Sequence, residues 1–218
     1  MAININKCNP HTDIYYFLHY WQTMSDYVAQ ERALNSIFLN GANLFTQDEL
    51  MIKCSALNDF YSTNIFKIYY VVRHYMSIAN MGCRLALGDL SLVSDLRMVP
   101  MPTQPTNLQS VKASVKTAKD LSLSTYIPTL NTKRDLYSFA TKFCSHHNPG
   151  KFPIYDSNVD KALKAFRKRD KFLSFKNEDL KCYPKFIEII NAFQNYYQLS
   201  QYSYKDIDRY LWLLGSLL

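Results

Sequence analysis

Glycine is scarce in this chain. Five glycines among 218 residues are too few for the turns of a β-sandwich or the phosphate-cradling loops of a nucleotide-binding α/β fold. The five cysteines (Cys8, Cys54, Cys83, Cys144 and Cys182) are odd in number and widely separated, with no CxxC pair. That pattern argues against a disulfide framework and against a zinc or iron–sulfur site, and it fits a reduced, cytoplasmic setting. The opening MAININKCNPHTD has no apolar signal core, and no run reaches membrane-spanning length. Period-2 alternation, repeats and low-complexity tracts are also missing, which leaves an all-α chain as the expected fold.

What the chain does have is enough apolar material for a real core. Hydrophobic residues make up 48% and charged residues only 20%, so global disorder is not expected. The 17 tyrosines and 13 phenylalanines suit semi-polar surfaces as well as interiors. The net charge of +7 is concentrated: residues 131–185 hold 13 Lys/Arg against 6 Asp/Glu, an excess equal to that of the whole chain. A localised basic field favours a polyanionic partner, and the plain alternative is a solvated surface that happens to be basic.

Apolar spacing predicts a helix over Asp13–Leu39, broken by Gly41 and Asn43, and another from Gln47 to about Phe60 behind a Thr46/Glu49 capping signature. Asn64, in the Ser62–Thr63–Asn64 cluster, is placed to cap a helix carrying Ile65, Ile68, Tyr69, Val72 and Met76. Gly88–Val99 reads as a short helix. The proline-rich loop 100–107 (Pro100, Pro102, Pro105) is the best hinge between possible lobes 1–99 and 108–218 of a single unit. A weak polar helix over Leu108–Ala118 and a loop Ser122–Thr132 follow. Lys133–His147 is predicted helical and stopped by Asn148–Pro149–Gly150. Asp156 caps the next helix, whose inner face is Val159, Leu163 and Phe166 and whose outer face is basic. Pro184 opens a further helix, and Tyr204–Leu217 forms the last.

Chemistry is most concentrated in LYSFATKFCSHHNPGKFPIYDSNVD, Leu136–Asp160. Lys142 has Phe139, Ala140, Phe143 and Cys144 as neighbours, an apolar setting that raises the neutral, nucleophilic fraction of an amine. The same pattern suits a lysine whose stem packs and whose head reaches water. Asp156 is a rigid N-cap, and such a fixed negative charge can also steady a developing cation. Adjacent His146 and His147 point in different directions on a helix, so a shared metal is not expected. Charge contact with a phosphate or simple placement at a helix C-terminus fits them better.

The order helix–lysine–loop–aliphatic–aspartate–helix resembles the helix-hairpin-helix (HhH-GPD) base-excision DNA glycosylases of the 8-oxoguanine glycosylase-like type. LYSFATK would lie over the family's hairpin and lysine, and FPIYDSNV over its aspartate motif. The hairpin glycines would fall on Ser138 and Ala140, and the Lys–Asp separation is shorter than the family's. The resemblance implies a two-lobed helical bundle and a DNA glycosylase with AP lyase activity, acting on double-stranded DNA without metal or cofactor. It makes Lys142 the Schiff-base lysine and Asp156 the essential aspartate. FYSTNIFKI is similar to the segment that feeds wedge residues into DNA, with Asn64 as the candidate. Lys161, Lys164, Arg167 and Lys168 would hold phosphates, while Tyr155, Tyr61 and Trp21 are candidate stacking partners for an extruded base. Beside this stand a non-catalytic nucleic-acid-binding module and a protein-interaction domain with a tyrosine-rich face.

Overall fold

The computed structural model describes residues 3–40, 45–101 and 132–218. The break expected at Gly41 and Asn43, the hinge prolines Pro102 and Pro105, the polar helix over Leu108–Ala118 and the loop around Pro128 lie outside them. The described residues are mostly helical. They comprise α1 (Pro10–Thr23), α2 (Ser25–Asn40), α3 (Gln47–Phe60), α4 (Ile68–Met76), α5 (Met81–Leu87), α6 (Ser91–Arg97), α7 (Tyr137–His147), α8 (Ser157–Asp170), α9 (Tyr183–Tyr196) and α10 (Tyr204–Leu217). Between α6 and α7 lies a two-stranded antiparallel ribbon, β1 (Met98–Met101) with β2 (Thr132–Asp135), in the register Met98↔Asp135 to Met101↔Thr132.

Helix signals in the sequence are met where caps and apolar faces agree. Thr46 accepts from the Glu49 N–H at the start of α3, and Asp156 from the Asn158 N–H (2.9 Å) at the start of α8. Val159, Leu163 and Phe166 are fully buried, as their spacing requires. Pro184 stands in the first turn of α9. α10 spans Tyr204–Leu217, closed at its start by a Ser203–Asp206 capping box.

Three expectations are corrected. The helix expected over Asp13–Leu39 is two helices. Thr23 donates its hydroxyl back to the Tyr20 carbonyl (2.7 Å), Met24 leaves helical geometry, and Ser25–Asp26 start a new first turn. Lys133–Asp135 are strand rather than helix: they pair with β1, and Pro100, which has no N–H to give, is tolerated because a two-stranded ribbon consists only of edges. Asn64 does not cap α4, whose N-cap is Lys67. It sits at φ +53, a left-handed conformation that asparagine accepts. Asn58 holds that loop instead, accepting from Thr63 Oγ1 (2.7 Å) and the Ile65 N–H (2.8 Å).

The buried side chains form one cluster reaching from Ile14 to Leu214. α7 is its axis, with every residue from Phe139 to His146 buried, and it packs against α2, α3, α5 and α6. A helix apolar on nearly all sides belongs at the centre, so its polar residues Thr141, Lys142, Ser145 and His146 are carried inside. Thr141 Oγ1 donates to the Ser138 carbonyl (2.9 Å) and accepts from the Tyr155 N–H (3.1 Å), which ties α7 to the segment that enters α8. α10 packs against α1 and α8. At Gly215 it meets the first turn of α8 so closely that an added Cβ would lie 2.6 Å from the Asn158 carbonyl carbon.

Candidate active site

The lysine of α7 and the cap of α8 meet. Lys142 Nζ is 2.9 Å from Asp156 Oδ2, donates to Ser138 Oγ (2.7 Å), and lies 4.7 Å from the centre of the Tyr61 ring. Lys142 is 3% exposed, so its stem does not carry the ammonium out to bulk water. Burial by itself would raise the Asp156 carboxyl, but Lys142 and the Asn158 N–H outweigh it and hold the group below the usual carboxylate range.

Both residues line a cavity of about 260 Å³. Its aromatic walls include Trp21 and Tyr27 from the α1–α2 corner, Tyr61 after α3, and Trp212 from α10. The break at Met24 is what allows Trp21 and Tyr27, on consecutive helices, to face one space. Trp21 and Trp212 meet edge to face with ring centres 5.9 Å apart, and Tyr27 lies 5.3 Å from Trp212. Glu31 on α2 binds Lys205 Nζ (3.1 Å) and Arg209 Nη2 (2.6 Å) on α10. Burial alone would raise its carboxyl, yet these two cations bring it below the ordinary value. Asp208 is different. Burial, aided by the negative charges of Asp156 and Glu31 and opposed by Lys205 and Lys142, pushes its carboxyl up to about 6.

Tyr61, Trp21, Lys142 and Asp156 are therefore brought together, and the other sequence candidates are not. Tyr155 is absent from the lining; its ring packs on Tyr137 and Phe186 in the core, and its hydroxyl donates to Asp160 (3.1 Å). Asn64 is exposed on the loop that follows Tyr61 and Ser62. Arg167 is held inside the fold, donating to the Phe175 carbonyl (2.6 Å) and Asn177 Oδ1 (3.0 Å). Lys164 pairs with Asp160 (2.6 Å), while Lys161 and Lys168 stand in solvent.

His146 is buried and His147 partly so, and this desolvation drops both imidazoles to about 3 and leaves them neutral. The expected charge contact with a phosphate is thereby corrected. His146 Nε2 instead makes a 3.0 Å hydrogen bond with the Tyr61 hydroxyl. Sequence reasoning missed Glu31, Lys205, Asp208 and Arg209, although the spacing Lys205–Asp208–Arg209–Trp212 marks one polar stripe on the last helix. Among the described residues no group of three or more His, Cys, Asp or Glu is placed to hold a metal, and no helix is long and apolar enough to cross a membrane.

Residues 13–151 match the family model HI_0787_N, an N-terminal domain. The match includes Lys142 and ends before Asp156. A protein of Haemophilus influenzae recorded as uncharacterized is 40% identical over 158 residues, which is 72% of this chain and 62% of that protein. The chain thus spans under two thirds of that relative's length. No solved structure matches.

Proposed function

This chain belongs to the HI_0787_N family, and we propose that it is a DNA glycosylase with AP lyase activity, built on a helical bundle of the HhH-GPD type. One observation carries the reading: the Lys142 amine and the Asp156 carboxylate, 2.9 Å apart, share the wall of an aromatic-lined cavity. A buried amine beside a fixed carboxylate is the equipment for covalent attack on an electron-poor sugar carbon.

In this mechanism a damaged nucleotide leaves the duplex and its base enters among Trp21, Tyr27, Tyr61 and Trp212. Lys142, having lost a proton, forms a bond from Nζ to the sugar C1′. The C1′–base bond breaks, and its electron pair departs on the base, which takes up a proton. The nitrogen, which then carries two protons, passes one to O4′ as the sugar ring opens, and the nitrogen lone pair forms the C1′=N bond of a protonated Schiff base. Asp156, held in place by its cap hydrogen bond from the Asn158 N–H, stabilises the positive charge at C1′ while the base leaves. Outside the cavity, exposed Lys161 and Lys168 hold phosphates. On the loop beyond Tyr61, Asn64 and the 91% exposed Phe66 are placed to fill the space in the duplex.

The test is borohydride trapping on duplexes containing an abasic site or 8-oxoguanine. The expected result is a covalent adduct with the wild-type chain and none with Lys142→Ala. Salt-sensitive duplex binding with no adduct on any substrate would reject this mechanism and favour a non-catalytic DNA-binding module.

A further inference from the structure

The charges around the cavity are matched, with one exception. Lys142 is bound to Asp156, while Lys205 and Arg209 are bound to Glu31, and Arg209 also gives Nη1 to Asp206 (3.0 Å). Asp208 lines the same cavity, but among the described residues no cation closes on it, and its Oδ1 has no hydrogen-bond partner. The raised affinity of this carboxyl for a proton is what an ionised group lacking a counter-ion shows. Three aromatic rings share the lining. Trp21, Tyr27 and Trp212 have ring centres 5.3 to 5.9 Å apart and are inclined to one another by 49°, 58° and 86°, so they form adjoining walls rather than a stack. None of the three is fully buried. Ring faces attract positive charge, and two rings at the cavity already do so: Arg209 Cζ stands 5.7 Å from the centre of Trp21, and Lys142 Nζ stands 4.7 Å from that of Tyr61. No cationic group of the described residues lies over Tyr27 or Trp212 in this way.

We propose that this cavity binds a small organic cation with a trimethylammonium head, held by the rings of Tyr27, Trp212 and Trp21 and by the charge of Asp208. Such a head has no N–H to donate. It needs electron-rich ring faces and a nearby negative charge, and it does not need an open hydrogen-bond acceptor. A carboxylate with a sealed, unpartnered oxygen meets that requirement, because its field reaches into the cavity while the atom stays out of contact. A primary ammonium would need free acceptors, and the carboxylates of Asp156 and Glu31 are already engaged by the chain's own cations. The volume of about 260 Å³ is at the small end for ligand sites, which begin at roughly 300 Å³, so it suits a compact head with a short tail. This site goes beyond the glycosylase reading and does not depend on it: no bond is made or broken, and Lys142 stays in its ion pair. A trimethylammonium head is carried by free molecules such as choline and by trimethylated lysine in a peptide, and the experiment separates the two sources.

Trp21 and Trp212 are the chain's two tryptophans and both line the cavity, so their emission reports occupancy. The full chain is titrated with choline, with 3,3-dimethylbutan-1-ol as its neutral isostere, and with a short peptide carrying one trimethyl-lysine. A saturable change with choline is expected, at an affinity about tenfold or more above that of the isostere, as a desolvated cation–π contact gives. Choline binding more tightly than the peptide assigns a free molecule as the ligand, and the reverse assigns a modified chain; both support the head-group reading. Asp208→Asn removes the charge and keeps the shape. Tyr27→Leu removes a ring face and keeps an apolar side chain and both tryptophans. Each is expected to lower choline affinity by about tenfold and to leave the isostere unchanged, with folding of each variant checked by circular dichroism. No saturable response to choline or to the peptide, equal affinity for choline and its isostere, or a folded variant of either kind that binds choline like the wild type would overturn the proposal. Absence of a borohydride adduct would reject the lyase mechanism and leave this site standing.

Discussion

In Gly215→Ala a methyl group would arrive 2.6 Å from the Asn158 carbonyl carbon, 2.9 Å from its Cα, and closer still to its oxygen. Ordinary contact begins at 3.4 Å, so α10 and the first turn of α8 would have to separate by at least 0.8 Å, measured from the carbon alone. Two effects oppose each other. Alanine is favoured over glycine within a helix by about 1 kcal/mol. Overpacking costs typically about 1–3 kcal/mol, and more where the atoms that must yield are backbone. Here they are backbone, so the expected net loss is about 2 kcal/mol. That corresponds to a drop in Tm of roughly 4–8 °C for a chain of this size. The damage should also reach the site, because the Asn158 N–H donates to the capping carboxylate of Asp156 and Asp156 binds Lys142. A displacement approaching 1 Å in a catalytic group can cost on the order of a hundredfold in rate. Thermal denaturation followed by circular dichroism gives the first number, and the rate of borohydride trapping gives the second. A Tm equal to or above the wild type would refute the close approach of α10 to α8.

The desolvated histidines make the fold acid-sensitive. Their folded value of about 3 lies below the ordinary 6.5, so the unfolded chain binds more protons between these limits. Stability is complete above pH 6.5 and is lost as pH falls toward 3, by up to on the order of 4–5 kcal/mol for each histidine. Urea midpoints falling steadily from pH 7 to pH 4 are expected, and a flat profile would contradict the desolvation of both rings. Asp208 acts in the opposite sense. Its carboxyl titrates at about 6 rather than 3.8, so the folded chain loses stability as pH rises through that interval, by up to about 3 kcal/mol. Asp208→Asn should therefore be more stable than the wild type at pH 8 by urea unfolding, with the advantage shrinking below pH 5; a less stable variant at pH 8 would place the carboxyl in a paired environment. Neutralising exposed Lys161 and Lys168 together should weaken duplex binding and reduce the slope of log K against log salt by about 2. Arg167→Ala should instead lower Tm, because its guanidinium is held by Phe175 and Asn177; an unaltered Tm would free that side chain for DNA.

Local signals were enough to locate most helices. The cap at Thr46, the cap at Asp156, the stop at Asn148–Gly150 and the full extent of Tyr204–Leu217 could be read because each depends on neighbours within one helical turn. The adjacency of Lys142 and Asp156 was also legible, since a short loop between consecutive helices leaves few other arrangements. The break at Met24 was not, because it contains neither glycine nor proline and arises from the Thr23 hydroxyl competing for a backbone carbonyl. The ribbon escaped notice because its strands lie more than thirty residues apart in the chain and each is only four residues long.

The sequence by itself determined a helical chain with a basic segment and an amine placed near a carboxylate. Only the tertiary structure decided what surrounds that pair. Trp21, Tyr27 and Glu31 come from the first two helices and Asp208, Arg209 and Trp212 from the last. Side-chain spacing along one helix carries no information about which distant helix will pack across from it. The same packing separates cations by role, tying Arg167 into the fold and leaving Lys161 and Lys168 in water, and it leaves Asp208 without the partner that every other charge around the cavity has found.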